Sequence, residues 1–302
     1  MCLCAVAACE PFYLPNTGAG EADTTAAPLE PKERSEASLA LSDYYLSVQN
    51  GLLAQGLLRT DGGGPDAPYS SRDLVNNFIE IALFEEYATA SGRTVAQKTP
   101  STVHRWETPV RMKIEFGQTI PKAQQQLDRT RITTFAGRLS RLTDLSIKQT
   151  TGDANFYVFV VNKDEREALG PLIEQIIPGI NKASVSAIVN MDRSTYCVVL
   201  TTPFENSAEY ARAIAVIPGE HPDLLRQSCI HEELAQGMGL PNDSPSARPS
   251  IFNDDEEFAL LTTHDEMLLR ILYDPRIRPG MNAEQAREQA EVIVAELLGS
   301  DS

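Results

Sequence analysis

Between His231 and Asp243 the chain places three carboxylates (Glu232, Glu233, Asp243), two side-chain amides (Gln236, Asn242) and one imidazole within thirteen residues. Groups of these types hold cations and move protons. The stretch from Cys229 to Met238 reads as an amphipathic helix that stops at Gly239-Leu240. On a helix, residues four apart share a face, so Glu232 and Gln236 point the same way. Glu233 lies about 100° round from Glu232, close enough to serve the same site from its edge. A glycine stop lets the chain double back, which brings Asn242 or Asp243 over that face. Two helix ligands, a general base and a third ligand from the following turn are the working parts of a metal-dependent hydrolase. In that arrangement Glu233 is the base, and Glu232, Gln236 and Asn242 or Asp243 are the metal positions.

The donor set is unusual for zinc. Imidazole suits zinc, whereas carboxylate and amide oxygens suit harder cations. One charge and two neutral oxygens would bind zinc weakly, so the expected cofactor is either weakly held zinc or a harder divalent ion. His231 and His264 are nearby imidazoles, but His231 faces away from Gln236 and both are expected to support the site from behind. His221 follows Pro218-Gly219-Glu220 and reads as a loop residue on the surface. Another reading of Glu-Glu-x-x-Gln is a solvated helix face, with Gln236 bonded to Glu232. Cys229 and His231 are two apart and diverge on a helix, so they form no dyad. The sequence has no Gly-x-Ser-x-Gly elbow, Cys-x-x-Cys pair, dinucleotide fingerprint or Walker lysine.

Reading Glu232 to Asn242 as Glu-Glu-x-x-Gln-x-x-Gly-x-x-Asn gives a string that resembles the long metzincin motif with each histidine replaced. Ser250-Ile251-Phe252-Asn253 then falls where metzincins carry their methionine turn, with Phe252 in the methionine's place. Leu261-Thr262-Thr263-His264-Asp265 through Leu272-Tyr273 resembles a matrixin-type closing helix. Arg105-Trp106-Glu107-Thr108-Pro109-Val110 resembles the start of such a domain's first strand. Together, His-Glu-Glu-x-x-Gln, the Phe-Asn-Asp turn and Leu-Tyr-Asp-Pro resemble a proteobacterial lipoprotein family carrying the domain of unknown function 2927. The resemblance implies a zincin-like fold and a place in the cell envelope, with two functions open: a metal-dependent peptidase using Glu233 as base, or a catalytically inactive domain that binds a peptide or protein partner.

The chain has 302 residues with a formal net charge of −16, which argues against phosphate-backbone binding and against direct adhesion to anionic lipid. Three of its five cysteines, Cys2, Cys4 and Cys9, fall in the first nine residues. Val6-Ala7-Ala8-Cys9 resembles a bacterial lipobox, so residues 1–8 read as a short leader and Cys9 as the lipidated residue, facing the periplasm; the other reading is a frayed cytosolic terminus. Cys197 and Cys229 are left in the body. In an oxidising compartment they could pair and tie helix to sheet, or remain two small buried thiols.

Residues 9–38 are rich in Pro, Ala, Thr, Gly and Glu and read as a disordered tether. Helical patterns cover 39–58, 71–88, 123–145, 165–177, 208–215, 223–238, 264–273 and 282–298. Strand patterns cover 110–116, 155–162, 184–189 and 195–200. This order predicts an α+β fold, a small mixed sheet with helices packed on it. One domain is expected over 39–302, with sheet and motif helix in 70–240 and the turn and closing helices in 241–302. The expected partner is a peptide or an envelope protein, with the membrane reached through the lipid on Cys9.

Overall fold

The computed structural model describes residues 33–90 and 93–299. Cys9, the leader and most of the expected tether lie outside the described residues. The helices are α1 (Glu36–Ala54), α2 (Ser71–Ala82), α3 (Lys122–Thr143), α4 (Lys163–Arg166), α5 (Gly170–Ile176), α6 (Lys182–Val189), α7 (Asp223–Gln236), α8 (Thr263–Leu272) and α9 (Ala283–Gly299). The strands are β1 (Phe84–Ala90), β2 (Arg93–Pro100), β3 (Val110–Phe116), β4 (Ile147–Gln149), β5 (Phe156–Val161), β6 (Val198–Pro203) and β7 (Tyr210–Pro218). No helix among the described residues is long and apolar enough to cross a membrane.

The fold is α+β with a small mixed sheet. Five strands run in the order β4-β3-β5-β7-β6, while β1 and β2 form a separate antiparallel hairpin. Strands β4, β3, β5 and β7 are parallel, and β6 alone runs antiparallel at the edge beside β7. Successive strand residues face opposite sides. Val158 and Val160 of β5, with Ala213, Ala215 and Ile217 of β7, join the main core under α7 and α8. Phe159, Val161, Ile214 and Val216 face a smaller core closed by Ile173 of α5 and by Val185 and Ile188 of α6.

Four sequence expectations change here. Residues 208–215 read as a helix because they are alanine-rich, yet they enter β7, with Ala213 to Ile217 fully buried between two helical layers. Helix propensity is a weak prior that such a central position overrides. Ser184 to Val189 reads as a strand from its branched side chains, yet it lies in α6, capped by Asn181, whose Oδ1 accepts from Ser184 N at 2.8 Å. The expected helix 165–177 is split into α4 and α5, with Pro171 in the first turn of α5. Helix 71–88 ends at Ala82 and gives way to β1 of a hairpin that the pattern did not predict.

The motif helix α7 is held at both ends by groups distant in sequence. At its N-terminus Gln49 of α1 accepts from Leu224 N at 3.2 Å and Leu225 N at 3.0 Å. Arg226 is buried and bonds the Asp128 carboxylate of α3 at 2.8 Å and the His221 carbonyl at 2.6 Å. At the C-terminus the Trp106 indole donates to Gly237 O and the Tyr273 hydroxyl to Met238 O, each at 2.8 Å. These satisfy carbonyls that a helix end leaves without partners of its own. Gly239 then takes φ +119°, and a Cβ there would lie 2.3 Å from His104 O.

The histidines around α7 are part of the core. His231 stacks on Phe135 at 4.0 Å, and its Nδ1 accepts from Leu261 N at 3.1 Å. His264 Nε2 lies 3.1 Å from Asn77 Nδ2, with Tyr69 edge-on to the ring. His221, expected on the surface, is buried against Tyr45 of α1, with ring centres 4.2 Å apart. Burial, then the charges of Arg226 and Arg166, pull the His221 pKa down to about 3. Burial, then Arg138 and Arg131, bring His231 to about 3 as well.

Two predictions follow from this packing. Gly239→Ala should cost roughly 2–4 kcal/mol, from a left-handed backbone and a direct clash, and lower Tm by roughly 5–10 °C. Calorimetry showing less than about 0.5 kcal/mol lost would remove the glycine requirement. The second concerns pH. The unfolded chain protonates each histidine near 6.5 and the folded chain only near 3, so their stabilisation is present above 6.5 and lost as pH falls through that window. Each contributes a slope of up to about 1.4 kcal/mol per pH unit. The urea midpoint should therefore fall from pH 7 to pH 5, and His221→Gln and His231→Gln should each flatten the curve. A flat wild-type curve would contradict neutral burial.

Candidate functional site

Glu232, Glu233 and Gln236 of α7 line one cavity of about 400 Å³. Its far wall is Ser194-Thr195-Tyr196-Cys197, the segment leading into the edge strand β6. The turn after Gly239 supplies Asp243, and the loop before α8 supplies Asp254 and Glu256. Gln236 reaches across the bend, its Nε2 3.4 Å from Asp243 Oδ1. The doubling back expected from the glycine stop therefore brings Asp243, and not Asn242, over the motif face.

Asn242 is the residue that departs from the expected ligand set. It is buried away from the cavity, and its side-chain amide donates to Glu80 O and to Asp243 O, each at 2.8 Å. Its backbone N–H donates to Ile81 O at 3.1 Å. Asn242 thus pins the turn to the end of α2, a structural task that leaves its amide turned from the site. His231 and His264 bring no nitrogen to the cavity either, since both sit in the core. Phe252 is fully buried, with its carbonyl accepting from Ser244 N at 2.8 Å. The turn that carries it is anchored by Asp265 of α8, which accepts from Ser250 Oγ at 2.5 Å and Ile251 N at 3.1 Å. The same carboxylate accepts from Thr262 N at 2.9 Å in a capping box.

Cys197 and Cys229 form a disulfide across 32 residues, joining the lead-in to β6 with α7. Closing a loop of that length contributes about 3–4 kcal/mol in the chain-entropy account. The bond also places the Cys197 sulfur beside the acidic pair: Cys197 Sγ and one carboxylate oxygen each from Glu232 and Glu233 lie within 4.8 Å of one another.

Electrostatically the cavity is acidic throughout. Glu232, Glu233, Asp243, Asp254 and Glu256 line it, and no Lys, Arg or His does among the described residues. Burial, then the neighbouring Asp254 and Asp255 charges, push Glu256 up to about 7. Its backbone is left-handed at φ +57°, and its carbonyl accepts from Leu58 N at 2.9 Å. The sequence reading missed Asp254, Glu256 and Cys197 as cavity residues. The acidic run Asp254-Asp255-Glu256-Glu257 was the available signal for the first two. A convergence of carboxylates around one cavity attracts a positive charge, whether an ion or a basic side chain.

No curated protein and no solved structure matches the chain. The family described as protein of unknown function (DUF2927) matches residues 71–291, a span that runs from α2 into α9 and carries the whole sheet, α7 and every wall of the cavity. By that match over most of its length, the chain belongs to the DUF2927 family.

Proposed function

We propose that this chain is a zincin-like envelope domain without the three-imidazole zinc centre and that it holds a cationic segment of a peptide or protein partner. The observation that carries this reading is the cavity's make-up: five carboxylates and no imidazole, at the foot of an edge strand. A three-imidazole zinc centre does not fit these residues, because His231 and His264 are committed to Leu261 N and Asn77. A lysine or arginine side chain does fit, as a long apolar stem with a charged head. The outer edge of β6 has no neighbouring strand among the described residues, so an extended peptide can add there by backbone hydrogen bonds.

The zincin-like ancestry is supported by how Arg105-Trp106, α7, the Gly239 turn and α8 hold one another. An exported, lipid-anchored chain is supported by the Val6-Ala7-Ala8-Cys9 lipobox and by a disulfide, which persists in oxidising compartments. Globomycin-sensitive processing, or acyl labelling lost in Cys9→Ser, checks the anchor. Labelling that persists in that variant would refute it.

A second reading is a hydrolase using a harder divalent ion. It is favoured by Glu232, Gln236 and Asp243 lining the same cavity as Glu233. Such an ion would polarise a substrate carbonyl, with Glu233 as general base and the three oxygen residues as its holders. In this reading Glu233→Gln abolishes hydrolysis with the fold intact. Metal analysis of protein purified without chelator separates the readings, since stoichiometric metal lost in Glu232→Ala and Gln236→Ala would favour the second.

For the first reading, calorimetry should show short lysine peptides binding at least about tenfold more tightly than norleucine counterparts, a difference of about 1.4 kcal/mol. Glu232→Gln and Asp243→Asn should each remove several-fold of that preference. Equal affinity for charged and neutral peptides would sink the proposal. Binding should also tighten from pH 6 to pH 8, because Glu256 gains its charge as the pH rises through about 7. Glu256→Gln should remove that step.

A further inference from the structure

The Cys197–Cys229 disulfide has surroundings that neither a structural cross-link nor the cationic-peptide reading requires. On the cavity side, Cys197 Sγ sits with the Glu232 and Glu233 carboxylates, ligand atoms within 4.8 Å of one another. On the inner side, Cys229 is buried, and its Sγ lies 3.6 Å from His221 Nδ1. Among the described residues that sulfur is the ring's one contact at hydrogen-bond range, and Nε2 is buried with no hydrogen-bond partner. A buried imidazole costs free energy unless its nitrogens are used. Here one nitrogen faces a sulfur that offers it no proton while the bond to Cys197 is intact.

We propose that this disulfide gates a mixed sulfur–oxygen site for a thiophilic divalent cation of the zinc type, formed by Cys197, Glu232 and Glu233 when the bond is reduced. With the disulfide closed, Cys197 has no charge to give a metal, and the site is two carboxylates. With it open, thiolate and carboxylates make a set that zinc-type ions accept, leaving a further position to solvent. Ligands about 2.0–2.3 Å from one tetrahedral ion lie roughly 3.3–3.8 Å apart, so the three atoms need close by only about an ångström.

Reduction by a dithiol balances without other reagents. A reductant thiolate entering through the cavity attacks Cys197 Sγ, and Cys229 leaves as a thiolate that takes up a proton and donates S–H to His221 Nδ1. The second reductant thiol displaces Cys197 as a free thiol and departs as a cyclic disulfide. Two electrons and two protons pass to the protein, and the metal later displaces the Cys197 proton into solvent. The acidic wall repels an anionic attacker, so the empty cavity protects the bond.

The gate is independent of whether the oxidised cavity takes a peptide. Peptide affinity is read on oxidised protein and metal binding on reduced protein, so either can fail alone. The test is a Co²⁺ titration of the full-length chain with Cys2, Cys4 and Cys9 replaced by Ser, which leaves Cys197 and Cys229 as its only cysteines, oxidised and after reduction by a phosphine removed before titration. The reduced protein should bind one Co²⁺ at least about 100-fold more tightly, with a thiolate-to-cobalt charge-transfer band, and Zn²⁺ should displace it. Cys229→Ser and Cys197→Ser both lack the bond and serve as a matched pair. The first should show the band without reductant and the second should never show it, while Glu232→Gln and Glu233→Gln should each weaken binding at least tenfold. A reduced parent protein without the band, or a Cys197→Ser protein with it, would overturn the proposal. If the variants do not fold, the band of the reduced protein lacking Cys2, Cys4 and Cys9 decides.

Discussion

A helix that stops in the middle of a core must hand its last carbonyls to something else. In this protein the end of α7 hands Gly237 O to the Trp106 indole and Met238 O to the Tyr273 hydroxyl. Arg105, next to Trp106, donates in turn to Leu272 O at the end of α8. One dipeptide ahead of β3 therefore sets the height of two helices against the sheet. Gly237 lies so close to the sheet that a Cβ there would meet Phe156 Cζ at 2.6 Å. The position of Glu232, Glu233 and Gln236 over the end of β6 follows from that seating.

The opposite end of α7 is held by a different kind of contact. Arg226 and Asp128 form a buried ion pair, and Arg226 also takes the His221 carbonyl. Breaking one partner of such a pair leaves an uncompensated charge, which is costly even where the pair itself adds little. Gln49 ties α1 to the first amides of α7, and Ser38 of α1 donates to Glu220 at 2.7 Å. The segment before the family match thus touches the motif helix directly. The next stretch does the same for the other wall: Leu58 and Arg59 donate to Glu256 O and Glu257 O at 2.9 and 2.8 Å. The acidic cavity is braced on two sides from residues 36–59.

The motif helix was legible in the sequence because amphipathic spacing and a glycine stop are local properties. So were β3 and β5, α3 and the capping-box helix α8. What was not legible depended on neighbours distant in the chain. Alanine-rich β7 becomes a strand because two helical layers close over it, and no window of eight residues contains that fact. Asn242 and Asp243 differ by one position, and the choice between them was made by a carbonyl of α2 that the asparagine satisfies. His221 looked like a loop residue until α1 covered it with Tyr45. The pairing of Cys197 with Cys229 was one of two open readings, and proximity across β6 and α7 settles which holds here.

The antiparallel placement of β6 has a colloidal side. Val198-Val199-Leu200-Thr201-Thr202 is a branched, uncharged run whose outer edge has no strand beside it among the described residues, the kind of ribbon on which like chains stack. Pro203 closes one end of it, and the carboxylates of the cavity stand at the other. Mutual repulsion between copies is then a second service of those acids, and it fades as they take up protons. An acidified preparation, stripped of that repulsion along a bare ribbon, is where this molecule would begin to cluster with itself.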